Sequence, residues 1–157
     1  IEGKTASLFA TSARIGALVA GHDATVVDAL TNYGTSFGMV FQIVDDILDV
    51  IATDAELGKR AGHDMEEGVY TLPVLLTLAQ QSSDTDELRS FLGKPLSQTE
   101  RERALAIVRT HSGIQSAIES AKNYVHMAEA ECNLMPQGVA TDALRAAPAA
   151  LLASIIR

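Results

Sequence analysis

The sequence predicts an all-α helical bundle, on three observations. Apolar residues recur at helical spacing along the chain, and no stretch sustains the every-second-residue alternation of a half-buried strand. Hydrophobic residues make up 47% of the chain, with 4% aromatic and no Trp, a composition suited to helix–helix packing rather than to base- or sugar-stacking platforms. No low-complexity linker or internal repeat interrupts the pattern, and 157 residues are enough for one domain with a real core.

The elements follow in order. Residues 5–20 form a helix rich in small side chains, closed by Gly21. A long helix spans residues 23 to about 51, with Gly34 and Gly38 inside it. Each glycine costs about 1 kcal/mol against Ala, yet its missing side chain lets a substrate or a neighbouring helix come close. Residues 52–70 read as a polar loop with Gly58, Gly62 and Gly68, long enough to be functional. Thr71 stands where an N-cap is needed for a helix over 71–80, and Pro73 is tolerated in its first turn. Helices over 84–92 and 98–111 come next, the second opened by the capping-box pair Ser97 and Glu100. Gly113 precedes a helix over 114–133 whose core face is Ile114, Ala117, Ile118, Ala121, Val125 and Ala128. The last helix, over 142–157, is expected to kink or split at Pro148.

The long helix holds the chemistry. With a rotation of about 100° per residue, Gln42, Asp45, Asp46 and Asp49 fall at i, i+3, i+4 and i+7 on one narrow face. Phe37, Val40, Phe41, Val44, Leu48 and Ile51 fall opposite and are assigned to the core. Like charges one turn apart repel, and carboxylates beside apolar walls must protonate or find cations. No Lys or Arg lies within a turn, so the cation comes from elsewhere. Open oxygen ligands suit Mg²⁺, which binds through one or two carboxylates and fills its shell with water and phosphate oxygens. A solvated acidic stripe is the ordinary alternative, but such a face is polar throughout, and this one carries Gly38 and Met39.

What surrounds these carboxylates resembles the second aspartate-rich motif of the trans-polyprenyl diphosphate synthases. In that family D-D-x-x-D leads through a G-K pair and a later D to G-K-x-T-L-P. Here Phe41-Gln-Ile-Val-Asp-Asp-Ile-Leu-Asp49 is followed by Gly58-Lys59, Asp64 and Gly68-Val-Tyr-Thr-Leu-Pro73. The chain also opens with the family's upstream K-T element, Gly3-Lys4-Thr5-Ala6-Ser7-Leu8, followed by Gly16-Ala17. The match is close over the first half of the chain, and its ordered spacing makes it specific where a lone D-D-x-x-D is weak.

The resemblance implies a helical bundle of the isoprenoid synthase type and a prenyl transferase. Such enzymes ionise an allylic diphosphate with the help of Mg²⁺, and isopentenyl diphosphate then attacks the carbocation. By positional match, Asp45, Asp46 and Asp49 bind Mg²⁺ directly or through water. Lys4 and Lys59 contact diphosphate oxygens as point charges, and Thr5 and Gln42 line the reacting carbon chain. Singly, each has an ordinary explanation: a solvated lysine, a turn at Lys59-Arg60, a helix cap, a satisfied amide. Their joint spacing carries the functional reading. The resemblance further implies a homodimer and a cytoplasmic protein.

Two departures stand out. Val69 occupies the family's second lysine position, which removes a cation from the diphosphate site. The family's first aspartate-rich motif is absent, and with it the stretch that sets product length. Residues 1–157 therefore read as the C-terminal part of a single isoprenoid synthase domain, poorly active alone, whose N-terminal half belongs to the same longer polypeptide. Two other readings remain open: a terpene cyclase of the same fold, and a non-catalytic subunit of a hetero-oligomeric prenyl synthase.

Charge and cysteine usage narrow the rest. Twenty acidic residues against twelve basic give a net charge of −8, which disfavours nucleic acid as a partner. The single Cys132 precludes an intrachain disulfide and sits in a helical pattern with Ala128 and Met135, so an inert core thiol is expected. His22, His63, His111 and His126 show no zinc-ligand spacing. His63, beside Asp64, reads as a surface histidine. No apolar run approaches a membrane span.

Overall fold

A computed structural model describes residues 2–52 and 61–156, and these contain helices and no strand. The chain forms two compact units, Ile1–Val44 with Ser120–Arg157, and Asp45–Glu119. A π-helical turn, Glu2–Ala6, leads into α1, Ser7–Val19, and the long α2 spans Ala24–Ile51. Then come α3, His63–Glu66; α4, Leu72–Leu78; α5, Ser83–Phe91; and α6, Gln98–Thr110. The chain closes with α7, Gly113–Glu131, a 3₁₀ turn, Cys132–Leu134, and α8, Val139–Ala153.

In the first unit, Asp23 caps α2 by accepting a 3.0 Å hydrogen bond from the Val26 amide. The two glycines of α2 form a notch for α1. A Cβ on Gly34 would stand 2.8 Å from the Ala10 Cα, and one on Gly38 would stand 2.7 Å from the Ala6 Cα. These are backbone atoms that no rotamer change can move, so only glycine permits this crossing. The close approach expected of these positions is therefore made by a helix. Phe9 of α1 then packs edge-on to Phe37 and against Phe41, with ring centroids 5.5 and 5.3 Å apart. Ala29, Tyr33, Ala128, Cys132 and Met135 form a buried cluster in the same unit. The Cys132 thiol donates to the Ala128 carbonyl, and burial raises its pKa, as an inert core thiol requires.

Pro148 neither splits nor ends the last helix: α8 runs continuously across it, with the proline buried. The missing Pro148 amide would orphan the Leu144 carbonyl four residues back. The Tyr33 hydroxyl donates to that carbonyl at 2.8 Å and replaces the lost donor.

In the second unit, Val50, Met65, Val74, Leu88, Ile107 and Val108 belong to one buried core. Thr71 holds the N-cap position of α4 with extended backbone, but its side chain makes no capping bond; Pro73 in the first turn needs none. The Ser97–Glu100 capping box on α6 is formed as expected. A second box at α5 was not anticipated: Ser82 accepts from the Thr85 amide while the Thr85 hydroxyl accepts from the Ser82 amide. Within the stretch read as loop, residues 63–66 form the short α3.

The burial pattern of α2 corrects the sequence assignment. Phe41, placed in the core, is 43% exposed, and Ile51 is also exposed. Ile43, Ile47 and Val50 are buried instead. Asp46 and Asp49, assigned to an open polar face, are only 2% and 4% exposed, and Asp45 alone of the three carboxylate residues is exposed. A wheel that sorts positions by polarity assumes one core side. Here apolar packing surrounds most of the helix, and burial follows packing rather than polarity.

Candidate functional site

The candidate residues lie in both units. In the first, Lys4 and Thr5 occupy the π-helical turn that begins the described chain, with Lys4 exposed and Thr5 half-buried. Such i→i+5 turns recur at functional sites because they re-aim side chains and carbonyls. The Thr5 hydroxyl donates to the Gln42 side-chain oxygen at 2.7 Å, so the π-helical turn and α2 are in direct contact through this pair. The glycine notch makes that reach possible.

In the second unit, the last turns of α2 present Asp45, Asp46 and Asp49. Asp45, Asp46 and Asp49 each make a hydrogen-bond or electrostatic contact in the fold. Buried carboxylates need such compensation, because an isolated charge taken out of water is heavily penalised. Asp45 is the one open to a hydrated ion. Among the described residues no three His, Cys, Asp or Glu side chains are grouped as a ready-made metal cage. The donor set still fits Mg²⁺, which needs hard oxygens from only one or two carboxylates and retains water for the rest.

The end of α2 is held from outside itself. Its last carbonyls lack helical donors. The Leu48 carbonyl still receives the helical bond of the Ala52 amide at 3.0 Å, whereas the Asp49 carbonyl accepts from the Gly62 amide at 2.8 Å. The Val50 carbonyl accepts from Arg109 Nε at 2.7 Å. Gly62 sits at φ +74°, left-handed backbone that favours glycine, and this lets its amide face back to Asp49. One residue earlier, Ala61 offers its carbonyl to the buried Arg101 at 2.9 Å, whose Nε lies 3.2 Å from Glu66 Oε1.

Sequence reading did not single out either arginine. A signal was present for Arg101, which shares the i, i+3, i+4, i+7 stripe of Ala104, Leu105 and Val108, all buried. Gly58, Lys59 and Arg60 lie outside the described residues. Val69 is exposed, its amide bonded to the Asp64 carbonyl at 2.8 Å. His63 pairs with Glu67 at 3.3 Å on the surface, as expected of a surface histidine.

The family model for polyprenyl synthetase matches residues 1–108, more than half of the chain. The chain belongs to the polyprenyl synthetase family. Geranylgeranyl diphosphate synthase of Saccharolobus solfataricus is 43% identical over 130 residues, covering 82% of this chain and 39% of that protein. Heptaprenyl diphosphate synthase component 2 of Bacillus subtilis is 34% identical over 93% of this chain and 41% of that protein. Among solved structures, geranylgeranyl pyrophosphate synthase from Corynebacterium glutamicum, complexed with calcium and isoprenyl diphosphate, superposes with a TM-score of 0.89. It is 34% identical, over 99% of this chain and 48% of that one. This polyprenyl synthetase chain thus spans about 40% of the length of these curated relatives, and the isoprenoid synthase bundle expected from the motifs is its fold. No described helix is long and apolar enough to cross a membrane.

Proposed function

We propose that this chain supplies the second aspartate-rich helix of a Mg²⁺-dependent prenyl transferase that lengthens an allylic diphosphate with isopentenyl diphosphate. The observation that carries the reading is the exposed Asp45, on a helix whose sequence is the family's motif. The calcium and isoprenyl diphosphate complex of the Corynebacterium relative supports it.

Asp45, Asp46 and Asp49 hold the ion, Asp45 from its open position and the two buried residues directly or through water. Bound there, Mg²⁺ supplies positive charge to a departing diphosphate. Lys4 and Lys59 bind diphosphate oxygens, compact cations that follow the negative charge as it builds. Thr5 fixes Gln42, and together they orient the allylic carbon chain. Apolar helix surfaces exclude water from the reacting carbon.

In this reading residues 1–157 are part of one isoprenoid synthase domain whose other part carries the first aspartate-rich motif. It works as a homodimer in the cytoplasm. A polypeptide with both motifs should convert isopentenyl and allylic diphosphates to a longer diphosphate when Mg²⁺ is present, and chelation should abolish this. The chain without the first motif should give little product; robust elongation by it alone would overturn that part. Assembly with a different second polypeptide is the alternative favoured by one observation, the likeness to component 2 of the Bacillus synthase. Light scattering of the purified assembly separates one kind of subunit from two.

A further inference from the structure

We propose that Arg109 and Arg101 of α6 are positioning residues for the aspartate-rich helix, acting through the backbone of its last turn. The inference rests on the reading of Asp45, Asp46 and Asp49 as metal-binding.

Asp49 lies in the last turn of α2, at the negative end of the helix dipole, an unfavourable place for a carboxylate. The same end exposes carbonyls with no helical donor. Arg109 answers both needs. Its guanidinium brings a positive charge to this terminus and donates to the Val50 carbonyl, 59 positions away in sequence. The adjacent Asp49 carbonyl is closed by the Gly62 amide, so the residue that carries a candidate ligand is bonded to the point where the chain returns. Arg101 fixes that return. It is 5% exposed, donates to the Ala61 carbonyl at 2.9 Å, and is balanced by Glu66.

A buried arginine among apolar residues is weak as a stabilising device, since desolvation opposes the ion pair. What the pair of arginines provides is fixed geometry. Both project from one rigid helix, two turns apart, and each bonds a main-chain carbonyl beside the motif. With Val50 and Ala61 held, the Asp49 turn cannot fray, and its carboxylate keeps its direction. Arg103, between them on α6, serves as the internal comparison: its guanidinium pairs with Glu87 and Asp84 of α5 on the surface.

The test compares Arg109→Gln, Arg109→Lys, Arg101→Gln and Arg103→Gln in the full chain, with two readouts. Amide hydrogen exchange is followed in peptides covering residues 48–52 and 61–66, and Mn²⁺ binding is followed by electron paramagnetic resonance with inorganic pyrophosphate present. Arg109→Gln and Arg101→Gln should speed exchange in those two peptides while α5 and α7 keep their protection. They should raise the Mn²⁺ midpoint roughly tenfold, the scale of lost support around metal ligands. Arg109→Lys should recover most of both effects, and Arg103→Gln should change neither. Exchange that is unchanged in the glutamine variants, or that rises equally across the unit, would overturn the positioning role. A wild-type chain that binds no Mn²⁺ would overturn the metal reading, while the exchange data would still decide whether the arginines fix the turn. Should Arg101→Gln fail to fold, Arg109→Gln with its lysine rescue decides the matter.

Discussion

The Tyr33 hydroxyl donates to the carbonyl of Leu144, the very carbonyl that Pro148 deprives of its helical partner. A proline inside a helix normally leaves its i−4 carbonyl unsatisfied, and in this chain a phenol from another helix fills the gap. Tyr33→Phe should therefore cost about 1 kcal/mol, the loss of a part-buried hydrogen bond. Adding Pro148→Ala returns an amide to Leu144 and should shrink that penalty. Denaturant unfolding of the two single variants and the double variant measures the coupling.

Burial also pushes the Tyr33 pKa up to about 12, with the nearby Cys132 adding in the same direction. The folded state thus holds the phenolic proton more tightly than the unfolded chain does. Its contribution is fully present below the ordinary value of 10.0 and is lost as pH rises towards about 12. Ultraviolet titration should show Tyr33 ionising last, with Tyr33→Phe removing the late step.

Glu100 behaves in the opposite sense. Its hydrogen bond from Lys94, then those from the Ser97 amide and hydroxyl, lower its pKa to about 2. A depressed carboxylate contributes above its ordinary value of 4.5 and loses that contribution as pH falls towards about 2. The capping box of α6 should persist in moderately acidic solution. Lys94→Ala should raise the Glu100 midpoint, read by NMR titration of the side chain.

Gly38→Ala places a methyl group against the Ala6 backbone. The crossing of α1 over α2 must widen, at about 1–3 kcal/mol, and Thr5 should lose its reach to Gln42. Thermal unfolding reads the first effect. A shift of the Thr5 methyl and Gln42 side-chain amide resonances reads the second.

How much was legible beforehand follows from what kind of signal each feature leaves. The long helix, the Ser97–Glu100 box and the close approach at Gly34 and Gly38 are local or compositional, and they stand. The family could be read because Lys4-Thr5, Asp45-Asp46, Asp49 and the Thr71-Leu72-Pro73 run keep their order and spacing. The burial of Asp46 and Asp49 was not legible, since it depends on which helices pack around α2 and not on α2 itself. The continuity of α8 through Pro148 was hidden for the same reason: its remedy is Tyr33, 111 positions away. The Ser82 cap escaped because Thr85 takes the place where a Glu or Gln would signal a box.

The most direct test of the proposed chemistry is Asp45→Asn in a polypeptide carrying both aspartate-rich motifs, assayed for elongation with Mg²⁺, isopentenyl diphosphate and an allylic starter. Asp45 is exposed, so its replacement should leave stability within about 0.5 kcal/mol. Turnover should nevertheless fall by roughly a hundredfold or more, the effect of removing one group that stabilises a departing charge. Turnover equal to that of the unaltered enzyme would contradict the role assigned to the aspartate-rich helix, and with it the proposed function of this chain.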